Sequence, residues 1–200
     1  SLLVGSDKIK LKVFGNHNLM NLNGARIVCN QLGVNDDKFY EAIQSFEGAA
    51  KRLEKVFGNE TSVFFKDFAH SPSKLKATTA AVKEQYPQRK LIACMELHTF
   101  SSLNEQFLNE YKGAMNAADE AIVYFNPHTI AHKKLKEITE TQILNAFGAG
   151  KNLLIYTDVN LLKEHLLKVD TKISNILMMS SGTFDGLDFN ALAKEIYKLN

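Results

Sequence analysis

Phe64-Phe65-Lys66-Asp67-Phe68-Ala69-His70-Ser71-Pro72-Ser73 is the stretch whose reading decides the fold. An apolar run ends there, an acid and an imidazole follow at once, and Ser71-Pro72 opens a helical pattern. A strand that stops at Asp67-x-x-His70 and turns into a helix presents polar groups at a sheet edge. In open α/β sheets, ligands bind beyond the carboxyl ends of the strands. The arrangement recurs along the chain. Continuous apolar runs fall at 63–65, 91–95, 122–125, 153–156 and 176–179, which fits strands buried on both faces of a parallel sheet. Helical patterns fall between and after them, at 72–86, 104–118, 140–148, 159–168 and 187–199. This alternation predicts a doubly wound α/β domain, a mostly parallel sheet with helices on both faces.

Upstream of the decisive stretch, 52–57 reads as a strand, Gly58-Asn59-Glu60 as a hairpin turn and 61–66 as the returning partner. The sheet is therefore expected to begin with an antiparallel pair. Earlier still, 8–14 alternates polar and apolar residues like an edge strand. Leu19, Leu22, Ala25, Cys29 and Leu32 form one apolar stripe on a helix over 17–32, capped by Asn16 and stopped by Gly33. A second helix is expected over 37–45, with Asp36 as its cap. Helices give way to strands near residue 50, the best boundary in the chain.

The chain has 200 residues, 45% hydrophobic and 23% charged, which is ordinary globular composition. A net charge of +2 without any basic block gives no footprint for nucleic acid. Cys29 and Cys94 lie far apart in apolar patterns with no zinc or redox spacing, so both read as small buried hydrophobes. Reduced cysteine use fits the cytoplasm. No apolar run approaches the ~20 residues of a membrane helix, and no signal peptide is visible. Neither nucleic acid nor membrane is expected as a partner. The opening Ser1-Leu2-Leu3-Val4, without an initiator Met, reads as a start inside a longer protein.

Polar residues follow each parallel strand: Asp67 and His70; Glu96, His98, Thr99, Ser101 and Ser102; Asn126 and His128; Thr157 and Asp158; Ser180, Ser181, Gly182 and Thr183. Their coincidence on one edge argues for a site there. His70 reads equally as a capping or a ligand-contacting histidine. His98 follows a buried strand directly and is better placed for function. Turn chemistry accounts for His128 beside Pro127, and His132 and His165 fall on solvated helical stretches. On the first helix, His17, Asn18 and Asn21 share the opening turn. Asn18 and Asn21 face the same way and can each donate and accept toward a purine edge; a capping role serves as well. No G-x-G-x-x-G occurs. Gly148-Ala149-Gly150-Lys151-Asn152 fails as a P-loop, since Asn145 replaces the first glycine and Asn152 the metal-binding hydroxyl, so it reads as a helix stop and a turn. No metal-ligand spacing and no nucleophile triad appear.

Four ordered blocks resemble the Mur ligase family, the ATP-dependent ligases of the peptidoglycan stem peptide. Gly15-Asn16-His17-Asn18-Leu19-Met20-Asn21 is similar to G-x-H-N-x-x-N. Phe46-Glu47-Gly48 with Lys51-Arg52-Leu53-Glu54 is similar to F-x-G-x-x-[RH]-R-x-E. Lys66-Asp67-Phe68-Ala69-His70-Ser71-Pro72 is similar to D-D-Y-A-H-H-P, and Met95-Glu96-Leu97-His98 to F-x-P-H. The resemblance implies that 1–44 is the tail of a central P-loop ATPase domain and 45–200 a C-terminal Rossmann-like domain. It implies ATP-binding roles for Asn18 and Asn21 at adenine, Arg52 at phosphates and Asp67 at ribose, with His17 a further candidate. It places His70, His98, Thr99 and Ser102 near the incoming amino acid or peptide. The cofactors implied are ATP and Mg²⁺, the latter held mainly by the central domain. The reaction implied runs through an acyl phosphate of UDP-N-acetylmuramate, with the domain closing on the ATPase domain. The fragment alone would be inactive.

Lys66 and Ser71 depart from the third block, and Thr99 and Ser102 stand where the L-alanine-adding branch has arginines. Ser180-Ser181-Gly182-Thr183-Phe184-Asp185-Gly186-Leu187 resembles the M-S-N-G-x-F-G-G of the murein-peptide recycling branch. That branch takes the tripeptide L-alanyl-γ-D-glutamyl-meso-diaminopimelate. The alternatives are the L-alanine ligase and a non-catalytic nucleotide- or peptide-binding α/β module.

Overall fold

The computed structural model describes residues 1–4, 7–148 and 152–199, the side chain of Leu199 excepted. The turn expected within 148–152 therefore lies largely outside the described residues. The chain divides into two compact units, Ser1–Ala50 and Lys51–Asn200.

In the first unit, β1 (Leu2–Val4) pairs antiparallel with β2 (Asp7–Ile9), Leu3 opposite Lys8. The strand expected over 8–14 is thus shorter, because β1 offers only three residues to pair with. Helix α1 spans Asn16–Gln31 and α2 spans Asp36–Ile43. Two caps differ from expectation. Gly15, at φ 90°, precedes α1 without a side-chain cap, and Asn16 is already helical. Asn35, not Asp36, caps α2 by accepting the Lys38 N–H at 3.0 Å. Asp36 instead accepts from Arg26 at 2.8 Å and Asn30 at 2.9 Å, tying α2 to α1. Gly33, at φ 86°, ends α1 as expected; its N–H bonds Asn30 and that of Val34 bonds Cys29, a Schellman closure. Of the expected apolar stripe only Leu22 is buried, and Leu32 stays exposed.

In the second unit, β3 (Glu54–Gly58) and β4 (Val63–Asp67) form the expected antiparallel hairpin, with a bulge between Lys55 and Phe57. There follow α3 (Pro72–Gln85), β5 (Lys90–Glu96), α4 (Glu105–Leu108) with a 3₁₀ turn Asn109–Tyr111, β6 (Glu120–Tyr124), α5 (Pro127–His132), α6 (Glu140–Phe147), β7 (Leu153–Tyr156), α7 (Val159–Leu167), β8 (Ser174–Met179) and α8 (Phe189–Leu199). The sheet order is β3-β4-β8-β5-β6-β7, and every pair after the hairpin is parallel. The last strand enters between β4 and β5.

Alternation along the strands supplies two apolar faces. Phe64, Ile92, Cys94, Ile122, Ile176 and Met178 pack against Leu162 and Leu166 of α7 and Leu192, Ala193 and Ile196 of α8. On the other face α3 buries Leu75 and Val82, and the Thr79 hydroxyl meets the Met179 sulfur at 3.9 Å. Each large apolar side chain buried here contributes about 1.5–3 kcal/mol relative to exposure. Cys94 lies fully in this core, and burial pushes its thiol pKa up; Cys29 is only partly buried.

Two elements depart from the sequence pattern. The helix expected over 104–118 stops early. Gly113 adopts φ 70° and gives its N–H to the Phe147 carbonyl at 3.0 Å, which turns the chain. The segment read as an Asn-Pro turn continues as α5, with Asn126 capping the His128 N–H at 2.8 Å and Pro127 in the first helical turn.

Candidate functional site at the carboxyl edge of the sheet

Asp67 closes β4 and is 8% exposed. Its Oδ2 accepts the Leu53 N–H at 2.5 Å and its Oδ1 the Ala69 N–H at 2.6 Å. The Phe68 N–H also reaches the Lys51 carbonyl at 2.9 Å. The loop that carries Arg52 is thereby stitched to the end of β4. Lys51 and Leu53, on either side of Arg52, have φ of 59° and 45°, a strained region for side chains of this size. Arg52 lays its guanidinium over the Phe68 ring at 5.5 Å and has no carboxylate partner among the described residues. A planar cation on a fixed loop without an acid suits an anionic phosphate. His70 packs edge-on against Phe68 at 5.1 Å, and its Nδ1 lies 2.8 Å from the Phe68 carbonyl.

The neighbouring edge is built around Glu96, 3% exposed at the end of β5. Its Oε2 accepts the Ser180 hydroxyl and, at 3.0 Å, the Phe184 N–H; its Oε1 faces His98 Nδ1 at 3.6 Å. The Ser180 N–H bonds the Asp67 carbonyl at 3.1 Å, joining the β8 loop to the β4 edge. Asp185 accepts from the Tyr124 hydroxyl and the Asn126 amide. Burial, reinforced by Asp185, pushes the Tyr124 hydroxyl pKa up, so it stays a donor. Insertion of β8 between β4 and β5 thus brings Asp67, His70, Glu96, His98 and the 180–185 loop to one stretch of edge.

Other sequence candidates fall into different roles. Ser102 is 1% exposed, and its hydroxyl accepts the Thr99 N–H at 3.0 Å. The Thr99 hydroxyl accepts the Ser102 N–H at 3.1 Å, so the pair shapes the loop after β5, with Thr99 only partly buried. Asp158 caps α7 through the Asn160 N–H at 2.7 Å. In the first unit, Asn18 donates to the Phe14 carbonyl at 2.8 Å, which leaves its carbonyl oxygen for a ligand; Asn21 is exposed one turn on, and His17 is partly buried. No cluster of three or more His, Cys, Asp or Glu among the described residues is placed to hold a metal by itself.

Sequence reasoning missed Tyr111 and gave Glu96 no role of its own. Tyr111 donates to the His70 carbonyl at 2.6 Å while stacking on Phe147 at 5.1 Å. Glu96 was visible only as one polar residue among several, since its partners come from the loop after β8, more than eighty residues away in sequence.

A mostly parallel sheet with polar side chains gathered at the carboxyl edge of three adjacent strands has the architecture in which open α/β domains place their ligand sites. Residues 51–182 match the family described as Mur ligase, glutamate ligase domain. The chain belongs to the Mur ligase family. It is 29% identical over 144 residues to a UDP-N-acetylmuramate–L-alanine ligase of Desulfitobacterium hafniense strain Y51, an alignment covering 68% of this chain and 32% of that protein. The fold is shared with a UDP-N-acetylmuramate–alanine ligase from Thermotoga maritima at TM-score 0.66 and 18% identity, covering 94% of this chain and 38% of that one. It is shared with a murein peptide ligase from Psychrobacter arcticus at TM-score 0.64 and 21% identity, covering 96% and 40%. The chain thus spans less than half the length of each of these proteins. No helix among the described residues is long and apolar enough to cross a membrane.

Proposed function

We propose that the chain is the C-terminal part of an ATP-dependent ligase of peptidoglycan recycling. That enzyme would join UDP-N-acetylmuramate to L-alanyl-γ-D-glutamyl-meso-diaminopimelate in the cytoplasm. On this reading 1–44 is the tail of the central ATPase domain and 45–200 the C-terminal domain. The observation that carries it is the convergence of the Arg52 loop, His70, Glu96, His98 and the 180–185 loop at one edge.

ATP, when bound, supplies the phosphoryl group that makes the muramoyl carboxylate reactive toward an amine. This chain's share is positioning. Arg52 offers a donor fork to phosphate oxygens without a competing acid. Asp67 fixes the loop that presents it through the Leu53 and Ala69 N–H groups, and is the ribose candidate. Asn18, Asn21 and His17 are the adenine candidates of the first unit. His70, His98 and Thr99, with Ser102 bracing their loop, orient the acceptor amine; such orientation converts a bimolecular attack into an effectively unimolecular one. A second reading, L-alanine as acceptor, is favoured by the named activity of the Desulfitobacterium relative.

The test is phosphate release by the complete enzyme with ATP and UDP-N-acetylmuramate, comparing the tripeptide with L-alanine. Tripeptide-dependent turnover supports the recycling reading, and turnover with L-alanine alone selects the second. Absence of turnover with either leaves a binding module. In the active enzyme Arg52→Ala is expected to raise the KM for ATP by roughly 10- to 100-fold, the loss of a charge-assisted bond of about 1.5–3 kcal/mol. Arg52→Lys should recover part of it, because it restores charge without the fork.

A further inference from the structure

A buried carboxylate is costly unless its lone pairs are met. Glu96 meets that condition across two strands. One oxygen takes the Ser180 hydroxyl and the Phe184 N–H, and the other faces His98. The loop it grips is strained. Phe184, Asp185 and Gly186 have consecutive φ of 48°, 53° and 82°, and a left-handed phenylalanine is a genuine outlier. Such strain persists only where the surroundings over-determine it. Here Glu96 holds the Phe184 N–H, and Tyr124 and Asn126 hold the Asp185 carboxylate.

Gly182 sits at the centre of this arrangement. It does not occupy the left-handed region, so conformational freedom does not call for glycine there. Space does. A Cβ on Gly182 would lie 2.7 Å from Glu96 Oε2, 2.7 Å from His98 Cγ and 2.9 Å from His98 Nδ1. One side of the His98 ring is therefore pressed against the β8 loop at Gly182, while the side chain as a whole stays 39% exposed.

We infer that Glu96 and Gly182 are positioning residues for His98, locking the β5 and β8 loops into one wall that sets acceptor selectivity. The acceptor part rests on the ligase reading above; the coupling of the loops does not. Glu96 supplies the polar tie and Gly182 the clearance. The wall behind His98 is fixed by a contact between the β5 and β8 loops, so a side chain added at Gly182, which meets Glu96 and His98, acts at the acceptor side.

The test uses Gly182→Ala, Glu96→Ala and Glu96→Gln. In this chain, carrying isotope-labelled histidine, the ring resonances of His98 are followed beside those of the other histidines. Gly182→Ala should move His98 alone, with the melting curve remaining cooperative. In the complete enzyme it should raise the KM for the acceptor by about 10- to 100-fold, the scale of a misplacement near 1 Å, with the KM for ATP unchanged. Glu96→Gln keeps an acceptor for Phe184 and should lie between wild type and Glu96→Ala. An unmoved His98 in Gly182→Ala overturns the coupling. Parallel rises in both KM values would reduce the two residues to a structural role. If the wild-type enzyme shows no turnover with any amine, the ligase reading fails, while the His98 resonances still decide the coupling.

Discussion

Tyr111 shows how a single side chain can serve the site from outside it. Its ring lies flat on Phe147, with planes 8° apart, and its hydroxyl supports the main chain of His70. Burial pushes its hydroxyl pKa up, so the group remains a donor at neutral pH. Tyr111→Phe keeps the stack and removes the bond to the His70 carbonyl. The expected cost is about 0.5–1.5 kcal/mol, read as a fall in Tm of about 2–4 °C per kcal/mol for a chain of this size. Tyr111→Ala also empties the stack and should cost about 3–5 kcal/mol, the usual range for losing a buried aromatic. Equal losses in the two variants would mean that the stack contributes nothing. The sequence could not show this residue, because a tyrosine at 111 looks like one more member of a helix until Gly113 breaks that helix.

At the scale of elements, the parallel strands were legible because each is a continuous apolar run, and four of the five helical segments because their patterns repeat at helical spacing. What was not legible depends on partners distant in sequence. Asn35 and Asp36 are both good caps, and only the position of Arg26 on α1 decides that Asp36 pairs outward while Asn35 caps. His165 looked solvated on α7, yet its Nε2 lies 2.6 Å from Glu120 Oε1 at the start of β6, with Lys90 on the other carboxylate oxygen at 2.7 Å. Burial alone would raise the Glu120 pKa, but the bonds from Lys90 and His165 outweigh it and bring it below its ordinary 4.5. A carboxylate depressed in the folded state stabilises above its unfolded value, and that stability is lost as pH falls through the folded value. Glu120→Gln should therefore lower Tm at neutral pH and flatten the decline of Tm with acid below about pH 4.5. Thermal melts of both proteins across that interval check it, and parallel curves would refute it. Part of the acid slope should survive the substitution, because Asp119 and Glu54 are depressed by their own lysines despite partial burial.

At the scale of the whole molecule, the strand order β4-β8-β5 is what turns a row of polar strand ends into a site. Nothing in the apolar runs says that the last strand crosses back, so the motifs near 67, 96 and 180 could be placed on one edge but not ordered as immediate neighbours along it. The same topology bounds what the chain can do. It gathers Arg52, His70 and His98 at one edge, yet its 200 residues contain no G-x-x-x-x-G-K-[ST] to cradle a γ-phosphate, and its described residues hold no metal cluster. Positioning by itself lowers a barrier only for a reactant that is already activated. The chain alone is therefore expected to fold, yet to release no phosphate above the uncatalysed background when given ATP, UDP-N-acetylmuramate and either acceptor. The complete enzyme assayed beside it should turn over. Ligation by the chain alone would mean that activation does not need a P-loop domain. An inactive complete enzyme would instead return weight to a nucleotide- or peptide-binding module, whose affinity for the tripeptide could then be titrated directly on the His70 and His98 resonances.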